Sequence, residues 1–189
     1  MLKILVITDE KKSSINQCKA LIYEIRRKKK LNVKYLLVKK DIITLLPNIL
    51  LYLFLLIRNF FKEDFLCDCN LIISCGRISA PYNLLYKRNT SCKSYHILDP
   101  YLFRNRFDKI ILPRHDLKKM NKKDNLILTD GTLVNRELIS SVETEKFRRI
   151  IPYNNIVSCF VGGDGKSSKF SSKDIEDFPV KNKPGLARS

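Results

Sequence analysis

Branched apolar residues gather in short runs along this chain, and the stretches between them repeat apolar positions at helical spacing. Residues 3–8 form the first run. Its unbroken apolar character predicts a strand buried on both faces, as in a parallel sheet. Residues 9–13 predict a polar loop. Ser14-Ile15-Asn16-Gln17 has the Ser-x-x-Gln form of a capping box, so a helix is expected to begin there. Ile15, Cys18, Leu21, Ile22 and Ile25 give that helix one core face. Further strands are expected at 32–38, 71–74, 94–98, 109–112, 126–129 and 156–161, with helices from Ser79 and across 135–149. Alternating strand, loop and helix predicts an α/β domain, a Rossmann-like parallel sheet with flanking helices. Such sheets bind ligands at the carboxyl ends of their strands. Polar and glycine clusters fall at those ends: Thr8-Asp9, Cys75-Gly76-Arg77, Asp99-Pro100, Pro113-Arg114-His115-Asp116, Asp130-Gly131 and Gly162-Gly163-Asp164.

One stretch departs from this alternation. Residues 42–57 are apolar except for Thr44, Asn48 and the break at Pro47, and Phe60 and Phe61 follow. As a helix that stretch rises about 24 Å, short of the roughly 30 Å of a hydrocarbon core, and Pro47 shortens it further. A buried helix and a membrane-surface helix both fit better than a spanning one. The apolar run at the amino terminus is too short for a signal peptide. The expected location is cytoplasmic, with peripheral attachment to the inner membrane through 42–61 as the variant.

Composition narrows the classes. The chain has 189 residues and is 44% hydrophobic, enough for a real core, which excludes a disordered chain. Lys and Arg number 36 against 19 acidic residues, a net charge of +17. The basic residues are spread along the chain, and the densest run, Arg26-Arg27-Lys28-Lys29-Lys30, lies where the first helix should end and cations complement its dipole. Contact with anionic lipid or phosphate is the second reading of that run. No nucleic-acid partner is expected, because no RNP, zinc-finger or helix-turn-helix pattern occurs. Of six cysteines, Cys67 and Cys69 are too tightly spaced for a zinc knuckle and no second pair follows at ligand spacing. Reduced thiols and no metal are expected.

Several short motifs could carry chemistry. Gly76-Arg77 lies between a strand and a helix, where glycine permits close approach, the helix start favours an anion and Arg77 offers a bidentate phosphate contact. A purely structural turn is the competing reading. No GxGxxG follows, so no nicotinamide cofactor is expected. His115 beside Asp116 has the chemistry of a general base for an acceptor hydroxyl, or of a loop histidine satisfied by backbone. Asp99 before Pro100 would orient a sugar or His115, or simply make a turn, and Asp130-Gly131 reads as a turn first. Gly162 to Ser167 lacks the spacer of a phosphate loop.

Taken in order, these motifs resemble the elongated-mitochondria family of bacteria and plants, often labelled mitochondrial fission proteins. The resemblance runs over roughly residues 1–177. It is carried by Asn16-Gln17, by Gly76-Arg77-Ile78-Ser79-Ala80-Pro81, by Leu98-Asp99-Pro100, and by Phe107-Asp108 leading to Leu112-Pro113-Arg114-His115-Asp116. Residues 125–131 (NLILTDG) with Asn135, and Val161-Gly162-Gly163-Asp164 with Lys169-Phe170, complete it. The resemblance implies the N-terminal domain of a two-domain (GT-B-type) glycosyltransferase, the half that holds the acceptor. A nucleotide sugar would be the donor substrate, not a bound cofactor. The candidate catalytic residues are His115 and Asp116. The candidate substrate-binding residues are Gly76, Arg77, Ser79, Asp99, Asp130, Gly131, Gly162, Gly163 and Asp164.

The chain also departs from the family. Its first loop, Asp9-Glu10-Lys11-Lys12-Ser13, lacks the glycine usual in relatives, and Arg114 stands where an acidic residue is usual. Relatives continue into a second Rossmann-like domain, whereas here the expected organisation is a domain of 1–154, the start of a truncated second one at 155–177, and an unstructured tail at 178–189. The expected function is an acceptor-side half that is not catalytic alone. The alternatives are a membrane-surface or protein-binding module and a degraded gene fragment. A half-length chain would also expose its domain-docking face and tend to self-associate.

Overall fold

A computed structural model describes residues 1–62, 65–119, 125–135, 145, 146, 148 and 149. The chain divides into two units, Met1–Ile139 and Ser140–Ser189. The four described positions of the second unit are helical, within the helix expected at 135–149. The strand expected at 156–161 and the loop carrying Gly162, Gly163 and Asp164 lie outside the described residues, as does the tail from 178.

The first unit is a six-stranded, wholly parallel sheet with helices on both faces, a Rossmann-like fold. In chain order its elements are β1 (Leu2–Asp9), α1 (Lys12–Arg26), β2 (Leu31–Val38), α2 (Asn48–Lys62), β3 (Leu71–Cys75), α3 (Ser79–Asn89), β4 (Lys93–Ile97), β5 (Lys109–Pro113) and β6 (Leu126–Thr129). Short 3-10 turns at Ile43–Leu45, Arg104–Arg106 and Arg114–Lys119 fill the connections. The strands lie in the order β2-β1-β3-β4-β5-β6. The chain thus steps from β1 outward to β2, then crosses back to the other side of β1. That reversal puts the topological switch point between β1 and β3, where open α/β sheets place their ligands.

Strand periodicity explains the layers. Ile4 and Val6 of β1 point to one face, where Cys18 and Ile22 of α1 meet them together with Leu71 and Ile73 of β3. Leu5 and Ile7 point to the other face, with Ile72 of β3 and Ile78 at the start of α3. On that second face a larger cluster joins Leu51, Tyr52 and Leu55 of α2 to Ala80, Leu84 and Leu85 of α3 and to Phe107 and Ile110. α2 therefore rests mainly on α3 and turns the rest of its surface outward.

One local expectation is corrected. α1 opens at Lys12, ahead of the capping box, and its N-cap Lys11 makes no side-chain cap. The Lys11 amide donates to Asp9 Oδ1 at 3.3 Å, which turns the chain into the helix directly after β1. Ser14 is left inside the first turn and buried. The apolar stretch also resolves: Pro47 ends the 3-10 turn and α2 starts at the next residue. Among the described residues no helix is long and apolar enough to cross a membrane.

Candidate functional site

The carboxyl ends of β1 and β3 converge on three small or acidic groups. Asp9 closes β1 and is 4% exposed. Gly76 follows β3 at φ +92°, and a Cβ there would lie 3.2 Å from both Asp9 Oδ2 and Ser14 Oγ. Glycine thus provides both the left-handed backbone and the close approach of β3 to the start of α1. The sequence singled out Gly76 but left Asp9 and Ser14 outside the candidate set. Their signal was present in the chain, since Thr8-Asp9 ends the first apolar run.

The next residues are engaged within the fold. Ser79 is fully buried, and its hydroxyl lies 2.8 Å from both the Cys75 and the Gly76 carbonyl. Arg77 is engaged by the segment that leads into α2. Its guanidinium donates to the carbonyls of Thr44 at 2.6 Å and Leu46 at 2.8 Å, and to Asn48 Oδ1 at 3.2 Å. Asn48 answers through Nδ2, which donates to the Arg77 carbonyl at 2.8 Å and the Pro100 carbonyl at 2.6 Å. This clamp joins the end of β3, the loop after β4 and the start of α2. Arg77 is therefore a positioning group in this geometry, and Asn48, which the sequence passed over, is its counterpart.

The loop after β4 is conformationally strained. Leu98, Tyr101 and Phe103 have φ of 74°, 50° and 28°, sparsely populated for residues with a Cβ. Asp99 stabilises the loop: its carboxylate accepts from the Tyr101 amide at 2.9 Å and from Arg104 Nε at 3.0 Å and a terminal guanidinium nitrogen at 2.5 Å. Burial opposes the charge on Asp99, but Arg104 and the Tyr101 amide outweigh it and hold the carboxyl below its usual range.

Beneath this edge lies a buried polar group that the sequence did not single out. Asn83 Nδ2 donates to Ser74 Oγ at 2.6 Å, and Ser74 lies 2.7 Å from His96 Nδ1. The Nε2 atom of the ring is buried and has no hydrogen-bond partner among the described residues. His96 is fully buried and its ring meets Phe107 at 5.3 Å. Burial pushes its pKa down to about 3, with the Asp99 charge pulling weakly the other way.

His115 and Asp116 sit in the exposed turn after β5. Their nearest charged atoms are 3.9 Å apart, with side chains 67% and 49% exposed. Neither is in hydrogen-bond contact with the other. Arg114 pairs with Asp130 at 2.9 Å, tying the ends of β5 and β6. Thr129 Oγ1 donates to the Gly131 carbonyl at 2.7 Å, and a Cβ on Gly131 would meet nothing, as befits an ordinary turn. The fold thus gathers the candidates into two groups on one edge. Gly76, Arg77, Ser79 and Asp99 lie around the ends of β3 and β4, and Arg114, His115, Asp116, Asp130 and Gly131 around β5 and β6.

Against known proteins the findings are sparse. No curated protein and no solved structure matches the chain. A family model described as Mitochondrial fission ELM1 matches residues 14–181, a span that takes in α1, the β3–α3 turn and its clamp, the strained loop and the β5 and β6 ends. With that match over most of its length, the chain belongs to the Mitochondrial fission ELM1 family.

Proposed function

We propose that this chain is a peripheral membrane module of glycosyltransferase-like descent, holding an acceptor-side crevice against an anionic bilayer and not transferring sugar by itself. The observation that carries the reading is the outer face of the segment 42–61. Ile42, Leu45, Ile49, Leu53, Ile57, Phe60 and Phe61 are all solvent-exposed, Ile42 at 85%, Phe60 at 83% and Phe61 at 77%. An apolar face of this extent, on a protein of net charge +17, suits an interfacial helix with basic surroundings. The Arg77–Asn48 clamp supports the same reading, because it fastens the crevice edge to the start of that helix.

The acceptor-side part rests on the family and on the convergence of Asp9, Ser14 and Gly76 at the switch point. In it, His115 is the candidate base for an acceptor hydroxyl and Asp99 the group that shapes the rim. Location would then be cytoplasmic, on the inner membrane surface.

Flotation with anionic vesicles tests the membrane part. The chain is expected to rise with the vesicles, and Phe60→Asp with Phe61→Asp to stay behind while keeping its thermal unfolding, since both rings are exposed. Loss of two phenylalanine contacts corresponds to at least about a hundredfold in affinity. A wild-type chain that ignores the vesicles contradicts the proposal. Turnover of nucleotide sugars by the purified chain contradicts its second half.

A further inference from the structure

Three thiols converge at the end of the sheet opposite the switch point. Cys67 and Cys69 lie in the segment that leads into β3, and Cys92 immediately precedes β4, so all three sit at amino ends of strands. The Cys67 and Cys69 sulfurs are 2.7 Å apart, those of Cys69 and Cys92 2.8 Å, and all three lie within 4.8 Å of one another. Pairing of β3 with β4, with Leu71 opposite Lys93, creates this meeting. The spacing Cys-x-Cys alone does not reveal it, because the third sulfur comes from 23 residues further on.

We propose that Cys67, Cys69 and Cys92 form a tris-thiolate site for a thiophilic divalent cation, zinc being the expected ion, with water as the fourth ligand. Three sulfurs are the ligand set that soft or borderline d10 ions select over hard ones. Zinc–sulfur bonds of about 2.3 Å place tetrahedral sulfurs roughly 3.8 Å apart, within about an ångström of the present positions. Two clefts flank Cys67 and Cys69 and give the ion an approach, one of them bordered by Lys3 and Lys34. The balance is three thiols plus Zn²⁺ giving a complex of net charge −1 and three protons. Lys3 is itself paired with Asp68, which lines both clefts, so Lys34 is what remains to favour that extra negative charge. Thiols ligate a cation only as thiolates, so uptake must release protons and strengthen as pH rises.

A disulfide is the competing chemistry. Cys69 is central and touches both neighbours, so no one pair is singled out by the geometry. The test uses the full chain, purified under reducing conditions and treated with chelator. It is titrated with Zn²⁺, and separately with Co²⁺ as a spectroscopic stand-in. The expected results are one metal per chain, a thiolate-to-cobalt charge-transfer band, and more than tenfold slower alkylation of Cys67, Cys69 and Cys92, mapped by mass, with Cys18 and Cys75 unchanged. Cys69→Ser should abolish the band. The mapping on the unaltered chain decides the matter if that variant does not fold. Stoichiometric zinc uptake without protection of these three thiols overturns the proposal. So does a Cys69–Cys92 or Cys67–Cys69 disulfide forming on mild oxidation in a chain that takes up no metal.

Discussion

Gly76 at φ +92°, with Asp9 and Ser14 each 3.2 Å from where a Cβ would stand, is the more constrained of the two described glycines. Gly76→Ala should lower stability by about 1–3 kcal/mol, from left-handed strain and from crowding the switch point. Urea unfolding checks this, and an unchanged midpoint would mean that the β3 turn relaxes without cost. His96 makes a second prediction. Its pKa is about 3 in the fold against 6.5 for an ordinary histidine. Between those values the unfolded chain carries a proton that the folded chain refuses, so stability falls as pH falls. From pH 7.5 to 5 the loss is about 2 kcal/mol at roughly 1.4 kcal/mol per unit. His96→Gln should flatten that slope in unfolding curves taken across the range. Asp99 adds to the acid sensitivity lower down, because a depressed carboxyl loses its contribution as pH drops through its folded value. Gly76 and Asp99 stood out in the sequence, but the buried histidine did not. His96 sits in an unremarkable strand, and its partners Ser74 and Asn83 come from β3 and α3.

At the scale of elements the chain was far more readable. Continuous apolar runs are what two-sided burial requires, and they located β1 through β6 to within a residue or two. The start of α1 was misplaced because Ser14 and Gln17 match a capping box, while the Asp9 side chain and the packing of Ser14 under Gly76 make the helix begin sooner. The candidate site was half legible. Glycine and acidic residues at strand ends follow from topology, but Arg77 has a role that only the path of the 43–48 loop defines. Removing the clamp should therefore act on α2. Asn48→Ala leaves the carbonyls of Arg77 and Pro100 without their donor and should cost about 2 kcal/mol. Arg77→Ala should cost somewhat less, because its guanidinium is partly solvated. Hydrogen exchange would show both variants opening the first turn of α2 ahead of global unfolding; exchange unchanged there would mean that α2 is held by its packing on α3 alone.

For the whole molecule the notable feature is asymmetry. α1 buries its apolar face against the sheet, whereas α2 buries one side on α3 and presents the other to solvent. In the proposed role a bilayer would cover that face and meet the net charge of +17. Binding should then be composite, weakening with salt through the charges but not vanishing, because the apolar part is unscreened. Sedimentation with vesicles at low and high salt reads the two contributions separately, and complete loss at high salt would remove the apolar helix from the account. The most direct test is hydrogen–deuterium exchange of the full chain with and without vesicles containing anionic lipid. Slower exchange concentrated in residues 42–62, with β1 and β3 unchanged, is the predicted result. Protection confined to the basic run Arg26 to Lys30, or no protection at all, would contradict the assignment of α2 as the membrane-facing element.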